Sequence, residues 1–430
     1  MTVNRTRVAL GVAVLLAGSA LYAPSATSGV PARGGSHHAH SGDHAHQHSH
    51  PHPQPPDSTE SGQVVLDWER VAFATVYPVT PVPVGVPLLG YTSTAMYDAM
   101  RASSWRHDSS ETAAVAQAAH DVLVHHVPAA ASSLDTSLAT SLAGVPDGSA
   151  QDRGVWIGKK VAARLIEERA DDGYLDTSIH YTLPTGIGVW QPTPPATDML
   201  GAWIGSMDPL VVKRLARVDG PDRLTSDDYT TDYNEVKLLG GTGSTMRSQA
   251  QSDTAVFFNS NSATMVGDAL VRYLETHPET IAETASLFAT IHGAMTDSLI
   301  RCWQLKRDVG FWRPFQAIAG AADDGNPDTA PEPGWTPFQP TPPYSDYVSG
   351  HGCVTSPAVE VIRTRLGETT PLELRSSNFP TAPRTYATLT QLEHDALNAR
   401  IWSGLHFRDA MSDAYAIGHR TARVVMQRLD

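Results

Sequence analysis

Apolar residues in this chain recur every three or four positions, and no series of short alternating segments appears. That periodicity is best in residues 91–103, 111–127, 150–170, 265–277 and 280–307, and again in 389–403 and 407–429. In residues 150–170, for example, Val155, Ala162, Leu165 and Ile166 share a face, and Arg153, Lys160 and Arg164 lie opposite. The expectation is an all-α protein whose helices bury their apolar faces in bundles. Pro/Gly-rich loops at 184–195, 323–343 and 379–383 would join them. Hydrophobic residues make up 41% of the 430, enough for one large domain or two of ordinary size.

The folded part is expected over residues 62–430, beginning with the periodic stretch 64–74. Upstream, Arg5 and Arg7 precede an apolar run from Val8 to Leu21, followed by Ala23, Ser25 and Ala26. This is the order of an export signal, and about 14 apolar residues is short for a membrane span. Residues 1–33 are therefore read as signal and processing region, giving a secreted protein with no transmembrane segment after cleavage. Residues 34–61 are rich in Gly, Ser, Pro and His, with eight histidines from His37 to His52. Such a composition buries no core and is expected to be a disordered linker. Its His-x-His spacing suits adventitious zinc, copper or nickel. A protein that buffers metal through these histidines is the non-enzymatic alternative, but it leaves the last third of the chain unexplained. A net charge of −14 argues against nucleic acid as a partner. The two cysteines, Cys302 and Cys353, flank motifs described next; a bridge between them and a pair of buried thiols both remain open.

Three phrases in the last third form an ordered set: Lys306 to Arg313-Pro314, Ser349-Gly350-His351, and Arg400 to His406. A tetrahedral oxyanion needs charge-assisted donors for several oxygens. Lys306 offers a point charge, and Arg313 and Arg400 offer forked donors. The Ser349 hydroxyl and the Gly350 N–H can hold another oxygen, with Gly permitting close backbone approach. A helix starting just after this Ser-Gly-His tripeptide would add its N-terminal partial charge. Pro357, however, suits a helix beginning near Ser356 better than one beginning at Gly350. His351 and His406 remain for chemistry, one as ligand or nucleophile and one as acid/base. Singly, each of these residues reads as an ordinary ion-paired, capping or turn residue; only the joint pattern carries the inference.

The stretch from about Asp67 onward resembles the vanadium-dependent haloperoxidases, which share their anion site with type-2 phosphatidic acid phosphatases. The likeness is carried by Trp303-Gln-Leu-Lys306, Phe311-Trp312-Arg313-Pro314, Pro343-Tyr344 with Ser349-Gly350-His351, and Arg400-Ile-Trp-Ser-Gly-Leu-His406. Residues 235–240 with Arg247 and Phe257-Phe258 resemble an upstream segment of bacterial members. The resemblance implies a pair of four-helix bundles and a vanadate cofactor without haem. Hydrogen peroxide and a halide or small organic substrate would react there. It implies His406 as the vanadium ligand and His351 as acid/base. Lys306, Arg313, Ser349, Gly350 and Arg400 would hold the oxyanion oxygens. Trp303 and Tyr344 would lie near the halide, and Asp297 is the candidate carboxylate for Arg400. Val348 and Ala399 stand where the family has proline and serine. Tyr344 replaces the phenylalanine or histidine usual there, and Asp409 lies one residue early. The same residues also suit a soluble acid phosphatase, with phosphate in place of vanadate and a phosphohistidine at His406.

Overall fold

The computed structural model describes residues 58–106 and 108–429; the stretch read as an export signal and the histidines from His37 to His52 lie outside them. Among the described residues the chain forms α1 (Gln63–Val76), α2 (Val82–Ser104), α3 (Glu111–His126), α4 (Ala131–Ala143) and α5 (Ser149–Glu168). After a long loop come α6 (Asp227–Gly240), α7 (Gln249–Phe257), α8 (Ser262–Thr276), α9 (Ile281–Val309) and α10 (Pro314–Gly320). Then follow α11 (Gly350–Leu366), a hairpin of β1 (Leu372–Ser376) and β2 (Phe379–Tyr386), α12 (Leu389–Trp402) and α13 (Arg408–Leu429). No helix among the described residues is long and apolar enough to cross a membrane.

The helices pack as two groups that share α9. On one side α2 packs on α3, α5 and α9; on the other α9 packs on α11 and α13. A continuous apolar core runs through both groups, from Trp68 and Leu89 through Phe288 and Ile300 to Val359 and Val425. The strength of α9 begins at its cap. Thr280 accepts the Glu283 N–H and the Glu283 carboxylate accepts the Thr280 N–H, an arrangement whose loss costs about 1 kcal/mol.

Three expectations are corrected here. Residues 58–61, expected as the end of the disordered linker, are docked. Glu60 accepts the backbone N–H of Glu111 (3.1 Å) and Thr112 (2.8 Å), and the Ile281 N–H bonds its carbonyl at 2.9 Å. Residues 379–383, expected as loop, belong to β2; Pro380 and Pro383 fall outside the paired positions, so no ladder bond is lost. Finally, α11 does start at Gly350 and continues through Pro357. The proline removes one intrahelical bond, but packing on α13 holds the helix, with Gly418 giving room for the ring.

Candidate functional site

The site lies at the C-terminal end of α9, under the loop that leads into α11. Lys306 occupies the last turn of α9 and is wholly buried. Gly310 ends the helix at φ 58, a left-handed conformation that costs glycine least. The chain then turns so that Arg313 immediately precedes α10, with Pro314 at the first helical position. The segment before α11 and the turn before α13 supply acceptors. Lys306 Nζ donates to the carbonyls of Ser345 (2.7 Å) and Asp346 (2.9 Å). Arg313 Nε donates to the Tyr344 carbonyl (2.7 Å) and Nη1 to the Leu405 carbonyl (2.6 Å). These carbonyls orient the two cations without cancelling their charge.

Tyr344 lies between those cations, its ring centre 4.9 Å from Lys306 Nζ and 5.0 Å from the Arg313 guanidinium carbon. It also packs at 5.0 Å on Trp303, whose indole N–H is used by the Leu200 carbonyl. Ser349 caps α11, its hydroxyl oxygen accepting the Gly352 N–H at 3.3 Å, which leaves the hydroxyl proton to donate elsewhere. Gly350 opens the helix against Trp303: a methyl added there would stand 2.9 Å from the indole.

Arg400 comes from the last turn of α12, and His406 from the short turn before α13. The His406 Nδ1 faces Asp346 Oδ1 at 2.7 Å, while Arg313 Nη1 lies 3.2 Å from Nε2. A guanidinium only donates, so Nε2 must carry a lone pair and Nδ1 the proton. The ring is therefore neutral. Burial, reinforced by the positive field of Arg313, Lys306 and Arg400, holds its pKa well below the ordinary histidine range. His351, in the first turn of α11, is likewise kept neutral by burial and by Arg400. Burial also pulls Lys306 down to about 8 and Arg400 to about 10. It pushes the Asp346 carboxyl up to about 7, against the attraction of Arg313 and Lys306.

Four buried polar atoms here have no partner: Arg313 Nη2, Arg400 Nε, His351 Nε2 and Asp346 Oδ2. Unpaired buried donors are costly and rare, and three of these four belong to side chains expected to meet an oxyanion. Among the described residues no cluster of three or more His, Cys, Asp or Glu is gathered to hold a bare metal ion. The donor set instead suits an anion with several oxygens.

Nine of the ten sequence-derived residues are thus brought together. Asp297 is not. Its carboxylate accepts the backbone N–H groups of Leu210 (2.6 Å), Val211 (2.9 Å) and Val212 (2.7 Å), so it ties a loop to α9. Arg400 is met by a neutral amide, Asn259 Oδ1 at 3.4 Å, itself bonded to Gln339 at 2.8 Å. Asp346, the partner of His406, and Asn259 were missed by sequence reasoning. Asp346 had one available signal, being the only acidic residue between Pro343 and His351. Cys302 and Cys353 are both buried free thiols.

Fold and site together define an all-helical protein with a buried basic cradle at one end of its second helix group. Residues 286–430, which include Lys306, Arg313, Ser349, Arg400 and His406, match the family described as the VCPO second helical-bundle domain. A curated relative, the vanadium chloroperoxidase of Curvularia inaequalis, is 34% identical over 94 residues. That alignment covers 19% of this chain and only 14% of the relative. A bacterial vanadium-dependent iodoperoxidase has the same fold, with TM-score 0.68 and 22% identity over 88% of this chain and 98% of that one. A holo-type bacterial vanadium-dependent chloroperoxidase is similar at TM-score 0.63 and 15% identity, over 81% and 92% of the two chains.

Proposed function

We propose that this chain is a vanadate-dependent haloperoxidase that oxidises halide with hydrogen peroxide. The single observation that carries the reading is the convergence of three buried cations and two neutral imidazoles, among which Arg313 Nη2, Arg400 Nε and His351 Nε2 have no partner. Vanadate, when bound, would supply a Lewis-acid centre that activates hydrogen peroxide for attack by halide. His406 would hold the metal through the Nε2 lone pair, its ring fixed by the Asp346 contact on the opposite nitrogen. Lys306, Arg313, Arg400, the Ser349 hydroxyl and the Gly350 N–H would hold the oxygens. Because carbonyls rather than carboxylates orient Lys306 and Arg313, their positive field is preserved where negative charge accumulates. His351 Nε2 is neutral and uncommitted, suited to take a proton from peroxide and return it. Trp303 and Tyr344 would wall the halide side. Export remains our reading from the basic and apolar pattern of residues 5–21.

The test is bromination of a halogen-trapping dye by purified protein with hydrogen peroxide, with and without orthovanadate. Bromination that requires orthovanadate and disappears in His406→Ala is expected. Hydrolysis of an aryl phosphate, inhibited by orthovanadate and with no bromination, would reassign the site to a phosphatase.

A further inference from the structure

Cys302 lies one helical turn before Lys306 on α9, and Cys353 lies in the first turn of α11, which packs directly on α9. Both side chains are fully buried where α9 packs on α11, and each thiol lies within the electrostatic reach of the other. Cys302 Sγ also reaches the Val348 carbonyl at 3.3 Å, in the strand of chain that delivers Ser349 and Gly350. Cys353 Sγ lies 3.9 Å from the Ala414 carbonyl on α13. The haloperoxidase chemistry uses neither sulfur.

We propose that Cys302 and Cys353 form an oxidisable dithiol directly behind the anion cradle, modified by hydrogen peroxide to a disulfide that staples α9 to α11. The roles of the two sulfurs differ. Burial pushes the Cys302 thiol up, but the neighbouring Cys353 thiol and the charges of Lys306 and Arg313 outweigh it, leaving a net downward shift. Burial and the neighbouring Cys302 hold the Cys353 thiol far above its ordinary range. Cys302 lies one helical turn from Lys306 and against the segment that delivers Ser349, so it is the attacking sulfur and Cys353 the resolving one.

In the first step the Cys302 thiolate attacks one peroxide oxygen. The O–O bond breaks, sulfur keeps that oxygen as a sulfenic acid, and the other leaves as hydroxide and takes up the former thiol proton as water. In the second step the Cys353 sulfur attacks the Cys302 sulfur. The S–S bond forms, the S–O bond breaks, and the hydroxyl departs with the Cys353 proton as a second water. Two thiols and one peroxide give one disulfide and two waters. The inference rests on the proposed function only in that the peroxide is the same one drawn to Lys306.

The full chain, reduced with a phosphine and freed of it, would be treated with hydrogen peroxide without orthovanadate or halide. It would then be denatured, alkylated and mapped by mass spectrometry under non-reducing conditions. Loss of both alkylatable thiols together, with a cross-linked peptide pair joining Cys302 to Cys353, is expected. In Cys353→Ser the reaction should halt at a Cys302 sulfenic acid, trapped by a cyclic 1,3-dione. Two thiols still fully alkylated after peroxide, or sulfinic acids with no cross-link, would overturn the proposal. If Cys353→Ser does not fold, the wild-type map decides alone. Because no vanadate is present, absence of bromination leaves this result standing, and absence of the cross-link leaves the anion site standing.

Discussion

Bringing Lys306, Arg313 and Arg400 into one buried cluster raises a repulsion that the chain answers with a carboxylate, Asp346, placed 4.0 Å from Arg313 and against His406. Asp346 therefore does two things: it softens the cationic field and it aims an imidazole. Asp346→Asn keeps an acceptor for the Nδ1 proton but removes the charge that polarises the ring. Orthovanadate affinity should fall by about 10- to 100-fold with circular dichroism unchanged, as for outer-shell partners of other metal ligands. Equal affinity in the variant would show that the carboxylate charge has no such part. At this scale the site was legible wherever a residue lay in a local phrase, as Lys306, Ser349 and His406 do. The Asp346–His406 contact spans 60 positions and has no local signature. The misassignment of Asp297 has the same cause: a lone acid on a helix does not say which loop will fold back onto it.

Among the elements, those legible in advance bury a regular stripe, as α3, α8 and α9 do. Those missed lack one. Helix α4 buries Leu134 alone and is otherwise a Ser/Thr-rich surface turn-former, while α11 begins Gly-His-Gly and contains Pro357. The second is a helix by tertiary packing rather than propensity. The hairpin was hidden by the two prolines of β2. The loop around residues 210–212 depends on α9 in a way that can be measured. Asp297→Ala would strand three backbone N–H groups and should destabilise by about 2–4 kcal/mol in urea unfolding. A loss below half of the lower figure would mean that water replaces the carboxylate there.

Over the whole molecule, a chain of net charge −14 concentrates positive charge at one internal point, so an oxyanion should act as a structural ligand. Tungstate is a useful probe because its charge does not change between pH 7 and 10. At a concentration one hundred times its Kd it should add about 2.7 kcal/mol to unfolding, read as a rise in Tm. The sign of the pH effect follows from Lys306. In the free protein burial lowers it to about 8, whereas the bound anion favours the charged amine. The tungstate-induced rise in Tm should thus be largest below pH 8 and shrink as pH climbs through that value. Without the anion the trend reverses: the folded state holds this proton less tightly than the unfolded chain, so its own contribution to stability improves between about 8 and the ordinary lysine range. A Tm rise independent of pH would show that Lys306 does not face the anion.

The family match begins at residue 286, whereas α9 begins at Ile281, and α9 packs against α2 as closely as it serves α11 and α13. The boundary visible in sequence is therefore not a cleavage plane in space. Cutting there would strip the rod of its cap and leave a greasy flank without a neighbour, so the cationic end cannot be lent to a shorter protein by trimming. The helices before α9 act as the splint against which the cationic end keeps its alignment.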